Sequence, residues 1–170
     1  MACGPNEHEP IDPVTTKFDG KRHDPSLDQK IQPLLNQYFA LIDHLQEKDS
    51  ADLLTFGTSM IQLTDSLINQ NLSLDTATQS RAIQGLINIQ YEISAILMES
   101  NQNERILGAQ MLSLQMIDFL AAIGYQKQAI YIFTNNNESH WIGLKNKSTN
   151  PYTDDEDLTY TPAQVLQELK

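Results

Sequence analysis

Between Ser26 and Gly124 the chain repeats one pattern four times: apolar residues recur every three or four positions, interrupted only by short polar breaks. That spacing is one face of an α-helix, and a strand, whose side chains alternate every second residue, cannot present it. The first segment carries Ile31, Leu34, Leu35, Tyr38, Phe39, Ile42 and Leu45 behind a Ser26-x-x-Gln29 capping box, with Pro33 placed in the first two turns. The second starts at Asp49-Ser50 and aligns Leu53, Leu54, Gly57, Met60, Ile61, Thr64, Leu67 and Ile68. The third begins near Ser73-Leu74-Asp75 and runs through Ala82, Ile83, Leu86, Ile87, Gln90, Ile93 and Leu97. The fourth aligns Ile106, Ala109, Ser113, Met116, Leu120 and Ile123, flanked by Leu112 and Phe119, and ends at Gly124, a residue suited to a left-handed cap.

Breaks of a few residues cannot carry the chain back to the far end of a helix, so sequence neighbours must lie antiparallel. The expected architecture is mainly α, an up-down four-helix bundle. Met60, Met98, Met111 and Met116 fall on these helices, and methionine at such positions ordinarily fills core gaps.

Beyond Gly124 the period changes. Ala129 to Thr134 is β-branched and aromatic on both alternating faces, Asn135-Asn136-Asn137-Glu138 has turn chemistry, and His140 to Leu144 resumes an extended pattern, which predicts a small β-hairpin. Two strands alone are marginal in water and must lean on the bundle. Thr161-Pro162-Ala163-Gln164 reads as a cap followed by a proline at the first helical position, predicting a short closing helix from Pro162 to Leu169. Residues 1–25, with Pro5, Pro10, Pro13, Gly20 and Pro25 among charged residues, read as a flexible tether, and residues 26–170 as one domain.

The 170 residues carry a net charge of −11, a field that repels phosphate backbones and argues against nucleic-acid binding. No continuous run of about 18 apolar residues is present. The single cysteine, Cys3, precludes an intrachain disulfide. Met1-Ala2-Cys3-Gly4 has a small residue before the cysteine and a polar stretch after it, as a lipid-attachment site requires, so Cys3 is the candidate anchor and the only expected route to a membrane.

The order of elements, together with Tyr38-Phe39-Ala40, Tyr131, Phe133, Trp141 and Asn150-Pro151-Tyr152, resembles the domain of unknown function 3347, a family of extracytoplasmic helical domains from Gram-negative bacteria. The resemblance spans roughly residues 30 to 168 and implies a periplasmic or outer-surface location, a small lipoprotein or secreted protein, and an association with heavy-metal efflux and copper binding rather than catalysis. Where the family carries a Cys-Pro-Met segment and a second cysteine, this chain has Thr134, Asn135, Asn136 and Tyr160. Hydroxyl, amide and phenol oxygens hold cuprous ion poorly, so the implied scaffold is present without its soft ligands.

Other chemistry is sparse. His140 is the candidate metal residue, but a half-exposed strand histidine bonded to water or backbone accounts for it as well. Glu7-His8-Glu9 and His23-Asp24 lie in the tether, where ordering a site costs entropy. His44 is expected on a solvated helix flank. Asp154-Asp155-Glu156-Asp157 lacks the spacing and central glycine of a calcium loop, and Tyr152 is expected to seat its loop with its hydroxyl wet. No nucleophile elbow, zinc-helix motif or phosphate loop occurs, and no cofactor is called for. The sequence thus points to a non-enzymatic, envelope-facing binding or accessory protein with a protein partner, acting through Tyr131, Phe133, His140, Trp141 and Tyr152. The alternative is a periplasmic zinc- or copper-binding protein using His140 and carboxylate ligands.

Overall fold

The computed structural model describes residues 14–15, 25–45, 50–134, 139–144, 150–153 and 162–166. Four helices, α1 (Pro25–Asp43), α2 (Ser50–Ile68), α3 (Thr76–Met98) and α4 (Gln102–Ile123), form a bundle in which each packs on its neighbour in sequence. Side-chain contacts show the alternating directions. Gln90 reaches from α3 to the Ile61 carbonyl and Asp65 of α2, while Gly57 faces Leu97. Asn88 of α3 donates to Gln115 of α4, and Gly108 lies against Ile96. Tyr38 and Gln32 of α1 meet Ser113 of α4 and Tyr125 just beyond it.

The caps follow from local chemistry. Asp75 Oδ1 accepts the N–H groups of Ala77 and Thr78 at 3.1 Å each, and Asn101 Oδ1 accepts those of Asn103 and Glu104. Gly124, at φ 66° and ψ 45°, closes α4 in the left-handed conformation that glycine adopts without a Cβ clash. At α1 the expectation needs correction. The helix starts at Pro25, so Ser26 lies inside its first turn, and Pro33 sits in the helix interior. Pro33 is on the exposed side, where water can reach the Gln29 carbonyl that its missing N–H leaves without a helical partner.

The predicted hairpin is present: β2 (Ile130–Thr134) pairs antiparallel with β3 (His140–Gly143), with Phe133 opposite Trp141 and Thr134 opposite His140. The predicted closing helix is not. Pro162–Leu166 is a strand, β4, antiparallel to β2 from Ile130↔Leu166 to Phe133↔Pro162. A helix of eight residues is marginal by itself, whereas β2 offers a second edge of unpaired N–H and C=O groups for the returning chain. Pro162 is tolerated because it opens the strand, next to a register shift between Ile132 and Phe133.

Two residues of the expected tether also join the sheet. Val14–Thr15 forms β1 and pairs parallel with β4, giving the strand order β1-β4-β2-β3. Pro25, the last residue of the expected tether, opens α1, while the remaining tether residues, including Cys3, Glu7-His8-Glu9 and His23-Asp24, lie outside the described residues, as do Asn135 to Glu138, the acidic run 154–157 and Tyr160.

The core is continuous from bundle to sheet. Leu34, Leu35, Leu41, Met60, Leu86, Ile89, Ile93, Leu112, Met116 and Phe119 are buried among the helices, and Ile130, Ile132, Phe133, Trp141 and Ile142 extend that core into β2 and β3. The side of the sheet at β3 packs on α4. By length and composition alone α4 is apolar enough to cross a membrane, but 39% of its apolar window is buried within the fold, where Ala109, Leu112, Met116, Phe119, Leu120 and Ile123 form its inward face.

Candidate interaction surfaces

The five residues singled out around the hairpin do come together, but mostly inward. Phe133 is 0% exposed, Trp141 2% and Tyr152 6%, while Tyr131 and His140 are half-buried. Trp141 stacks on Phe133 with ring centroids 5.5 Å apart and planes 10° apart, and meets the Tyr152 ring edge-on at 6.0 Å. Cross-strand pairing produces the first contact, since directly opposed residues project from the same face of a sheet. Burial of this trio anchors the sheet, leaving Tyr131 and His140 as its solvent margin.

Tyr152 does not keep its hydroxyl wet. It lies 2.7 Å from Ser113 Oγ and donates to the His140 carbonyl at 2.8 Å. Ser113 Oγ is also 2.7 Å from the Tyr38 hydroxyl and donates to the Ala109 carbonyl at 2.9 Å. Three buried hydroxyls thus join α1, α4, β3 and the Asn150-Pro151-Tyr152 turn at one point. Burial first of all drives the Tyr38 phenol upward from its usual pKa, opposed by the Ser113 hydrogen bond and the Ile142 backbone. Tyr152 is raised for the same leading reason, with Tyr38 adding to it and Ser113 opposing. The cluster therefore holds neutral hydroxyls and acts as a structural joint.

The Asn150-Pro151-Tyr152 turn is built by its own side chain, because Asn150 Oδ1 accepts the Tyr152 N–H at 3.0 Å. Asn150 Nδ2 is buried with no hydrogen-bond partner among the described residues. At the other end of the sheet, Asp28 accepts the Gln126 N–H at 3.2 Å and Tyr125 donates to Gln32 at 2.7 Å, which fastens the α4–β2 connection to α1. Burial and then the Asp28 charge push the Tyr125 phenol up to about 12. His44, expected to be solvated, is half-buried: its ring lies 4.9 Å from that of Phe56 and its Nδ1–H donates to the Ala40 carbonyl. Among the described residues no three His, Cys, Asp or Glu side chains converge as a metal site.

A second surface, which sequence reasoning missed, lies on the outer side of α3 and α4. Of the six exposed large apolar side chains among the described residues, five belong to these helices: Ile87, Tyr91, Met98, Leu107 and Met111. Tyr91 is 73% exposed and Met98 86%. Ile87, Tyr91, the exposed Ala95 and Met98 follow a four-four-three spacing opposite the inward stripe of Leu86, Ile89, Ile93 and Ile96. The core-filler reading thus suits the buried Met60 and Met116 but not the exposed Met98 and Met111. The available signal was apolar residues on both faces of α3 and α4.

Toward the α3 N-terminus the same outer face turns polar. Arg81, Asn88, Gln115 and Asp118 line an open groove of about 620 Å³ whose floor includes Gly85 and Phe119. Glu92, on the following turn of α3, has its carboxyl raised above the usual range by partial burial. A scan against protein-family models finds no match for the chain, and searches of curated proteins and of solved structures find none either.

Proposed function

We propose that this chain is a non-enzymatic binding or accessory protein of the cell envelope, which works by docking a protein on the outer face of α3 and α4. The observation that carries this reading is the exposure of Ile87, Tyr91 and Met98 along one side of α3, with Leu107 and Met111 exposed on α4. Soluble domains bury or disperse most such side chains, and their concentration on two neighbouring helices points to an interaction surface. Tyr and Met suit that role because both cover large apolar areas, and the methionine side chain adapts to its partner's shape. The hydroxyl joint ties α4, one of the two helices of this face, to α1 and to the sheet. The Met1-Ala2-Cys3-Gly4 sequence supports an envelope location with lipid attachment at Cys3. The resemblance in Trp141 and Asn150-Pro151-Tyr152 supports kinship to extracytoplasmic helical domains, with the soft-ligand positions given over to Thr134 and Tyr160.

Titration of the purified chain with Cu(I) and with Zn(II), followed by calorimetry, tests this reading against the metal-binding one. No stoichiometric submicromolar binding is expected. Tight binding that disappears in His140→Ala would show that metal handling, not protein docking, is the function.

A further inference from the structure

We infer that the partner docked on the outer α3–α4 face is an amphipathic helix of another protein, with lysine or arginine set along its apolar side. The inference rests on reading this face as a docking surface and states the chemistry of its occupant. The shape of the face comes first. Ile96 lies against Gly108, Asn88 bonds to Gln115 and Gly85 faces Phe119, a register that puts Glu92 level with Met111 and Glu99 level with Glu104. Gly85, Asn88, Glu92, Ala95 and Glu99 recur every three or four residues and so follow the edge of α3 nearest α4. Glu104, Leu107, Met111, Gln115 and Asp118 do the same on α4. Arg81, Asn88, Gln115 and Asp118 line the open groove at one end, and the two stripes carry its line past Glu92 and Met111 to the α3 C-terminus. Between Arg81 and Glu99 this is roughly 27 Å at 1.5 Å per residue, the length of a helix of about 18 residues. A crease between two antiparallel helices seats the apolar ridge of a third.

The centre of the crease is apolar but not free of charge. Tyr91 is 73% exposed and Met98 86%, with Leu107 and Met111 exposed across from them on α4. Glu92 follows Tyr91 directly and is partly buried, and that burial alone raises its carboxyl above the usual range. Among the described residues no cation is paired with it. Arg105 turns its guanidinium instead to the Glu99 backbone carbonyl, at 3.1 Å from Nη2. Glu104 and Asp118 are exposed carboxylates on the α4 stripe, and Arg81 stands at the far end.

This mixture selects the occupant. Apolar side chains are needed to cover Tyr91, Met98 and Met111, yet covering them withdraws Glu92 further from water, and a carboxylate buried without a counter-charge is costly. Lipid chains bring no counter-charge, and a second copy of the chain brings another Glu92. A lysine or arginine beside an apolar ridge answers both needs, because its methylene stem covers apolar surface while its head reaches the carboxylate. An arginine can also lie over the exposed Tyr91 ring. The net charge of −11 steers such a helix toward the chain at low salt.

The test uses the full chain and synthetic amphipathic peptides of about 18 residues, each with a leucine face flanked by lysine, glutamine or glutamate. Fluorescence anisotropy gives their affinities in about 0.05 M and about 0.5 M salt. The lysine peptide is expected to bind at least about 10-fold more tightly than the glutamine peptide at low salt, and the glutamate peptide not to bind. Glu92→Gln should weaken the lysine peptide at least about 10-fold and leave the glutamine peptide unchanged. Tyr91→Ser should weaken both, and Asp52→Asn, at an exposed site on α2, neither. Circular dichroism and the thermal midpoint of each variant are expected near the parent, since Tyr91 and Asp52 are exposed and glutamine keeps the shape of Glu92. A lysine peptide as sensitive to Asp52→Asn as to Glu92→Gln would report only the field of the whole chain and would overturn the proposal. So would binding of none of the peptides, flotation with phosphatidylcholine vesicles that Tyr91→Ser abolishes, or a dimer that Tyr91→Ser dissociates. Equal, Tyr91-dependent affinity for the lysine and glutamine peptides would sink the basic partner and leave the docking surface standing. Metal binding lost in His140→Ala would instead strike at the docking function and leave these affinities unchanged.

Discussion

Removing the Ser113 hydroxyl should expose how much the joint between bundle and sheet contributes. In Ser113→Ala the Ala109 carbonyl keeps its helical environment and Tyr152 keeps the His140 carbonyl at 2.8 Å, but the Tyr38 hydroxyl loses its side-chain partner at 2.7 Å. Tyr38 is fully buried, so no water replaces that partner. Leaving a buried hydroxyl short costs about 1–3 kcal/mol. Alanine returns roughly 0.5 kcal/mol through its better helix propensity. The expected net loss is about 1–2 kcal/mol, and for a domain of this size each kcal/mol lowers the thermal midpoint by roughly 2–4 °C. Urea denaturation followed by circular dichroism measures the loss directly.

The sharper readout is a cycle with Tyr38→Phe, which removes the group that Ser113→Ala leaves without its partner. The double variant should recover part of the loss, with a coupling of about 1–2 kcal/mol, because Tyr38→Phe removes the O–H that Ser113→Ala strands, while loss of the Tyr38 contact with the Ile142 backbone occurs with or without Ser113 and cancels in the cycle. A Ser113→Ala protein within about 0.5 kcal/mol of the parent, with effects that add in the double variant, would refute the hydroxyl joint as an energetic link between α1 and α4.

Alkali should act on the same region. Tyr38, Tyr125 and Tyr152 all have phenols held above the ordinary value by burial, Tyr125 up to about 12. The native state therefore keeps protons that the unfolded chain releases near pH 10, so stability is intact below that pH and falls as pH rises through the native values. Tyrosinate absorbance for these three should appear together with loss of helical circular dichroism, and their full ionisation in an unchanged fold would contradict the burial. Two glycines should respond differently. A Cβ at Gly85 would sit 3.4 Å from Phe119, an ordinary contact, so Gly85→Ala should gain up to about 1 kcal/mol of helix propensity. At Gly57 it would lie 2.7 Å from Leu97 Cδ2, so Gly57→Ala must displace that side chain at a cost of about 1–3 kcal/mol that offsets the same propensity gain, and a Gly57→Ala midpoint at or above that of Gly85→Ala would refute this packing account.

The candidate sites show where reading the chain succeeds and where it stops. The resemblance and the alternation around Tyr131, Phe133, His140 and Trp141 located residues that do meet in space, since opposition across a hairpin is a near-neighbour property. Which of them point inward was not legible, because that depends on the helix that covers the hairpin. The α3–α4 face escaped notice for the converse reason: Ile87 fits the three-four series as well as Leu86 does, and only the position of α2, α4 and the sheet makes one buried and the other exposed.

By itself the sequence determined the four helices, the start of α3 near Asp75, the closing of α4 at Gly124, and the β2–β3 hairpin, since periodicity, capping and turn chemistry act within a few residues of chain. Only the tertiary structure decided that Pro162–Leu166 is a strand, that Val14–Thr15 joins it, and that Ser113 bridges Tyr38 and Tyr152. Each of those depends on a partner distant in sequence: a strand needs a free edge to pair with, and a buried hydroxyl needs another brought to hydrogen-bond distance by packing. Local preference for a short helix or a wet phenol is worth less than those satisfied partners, and so it gave way.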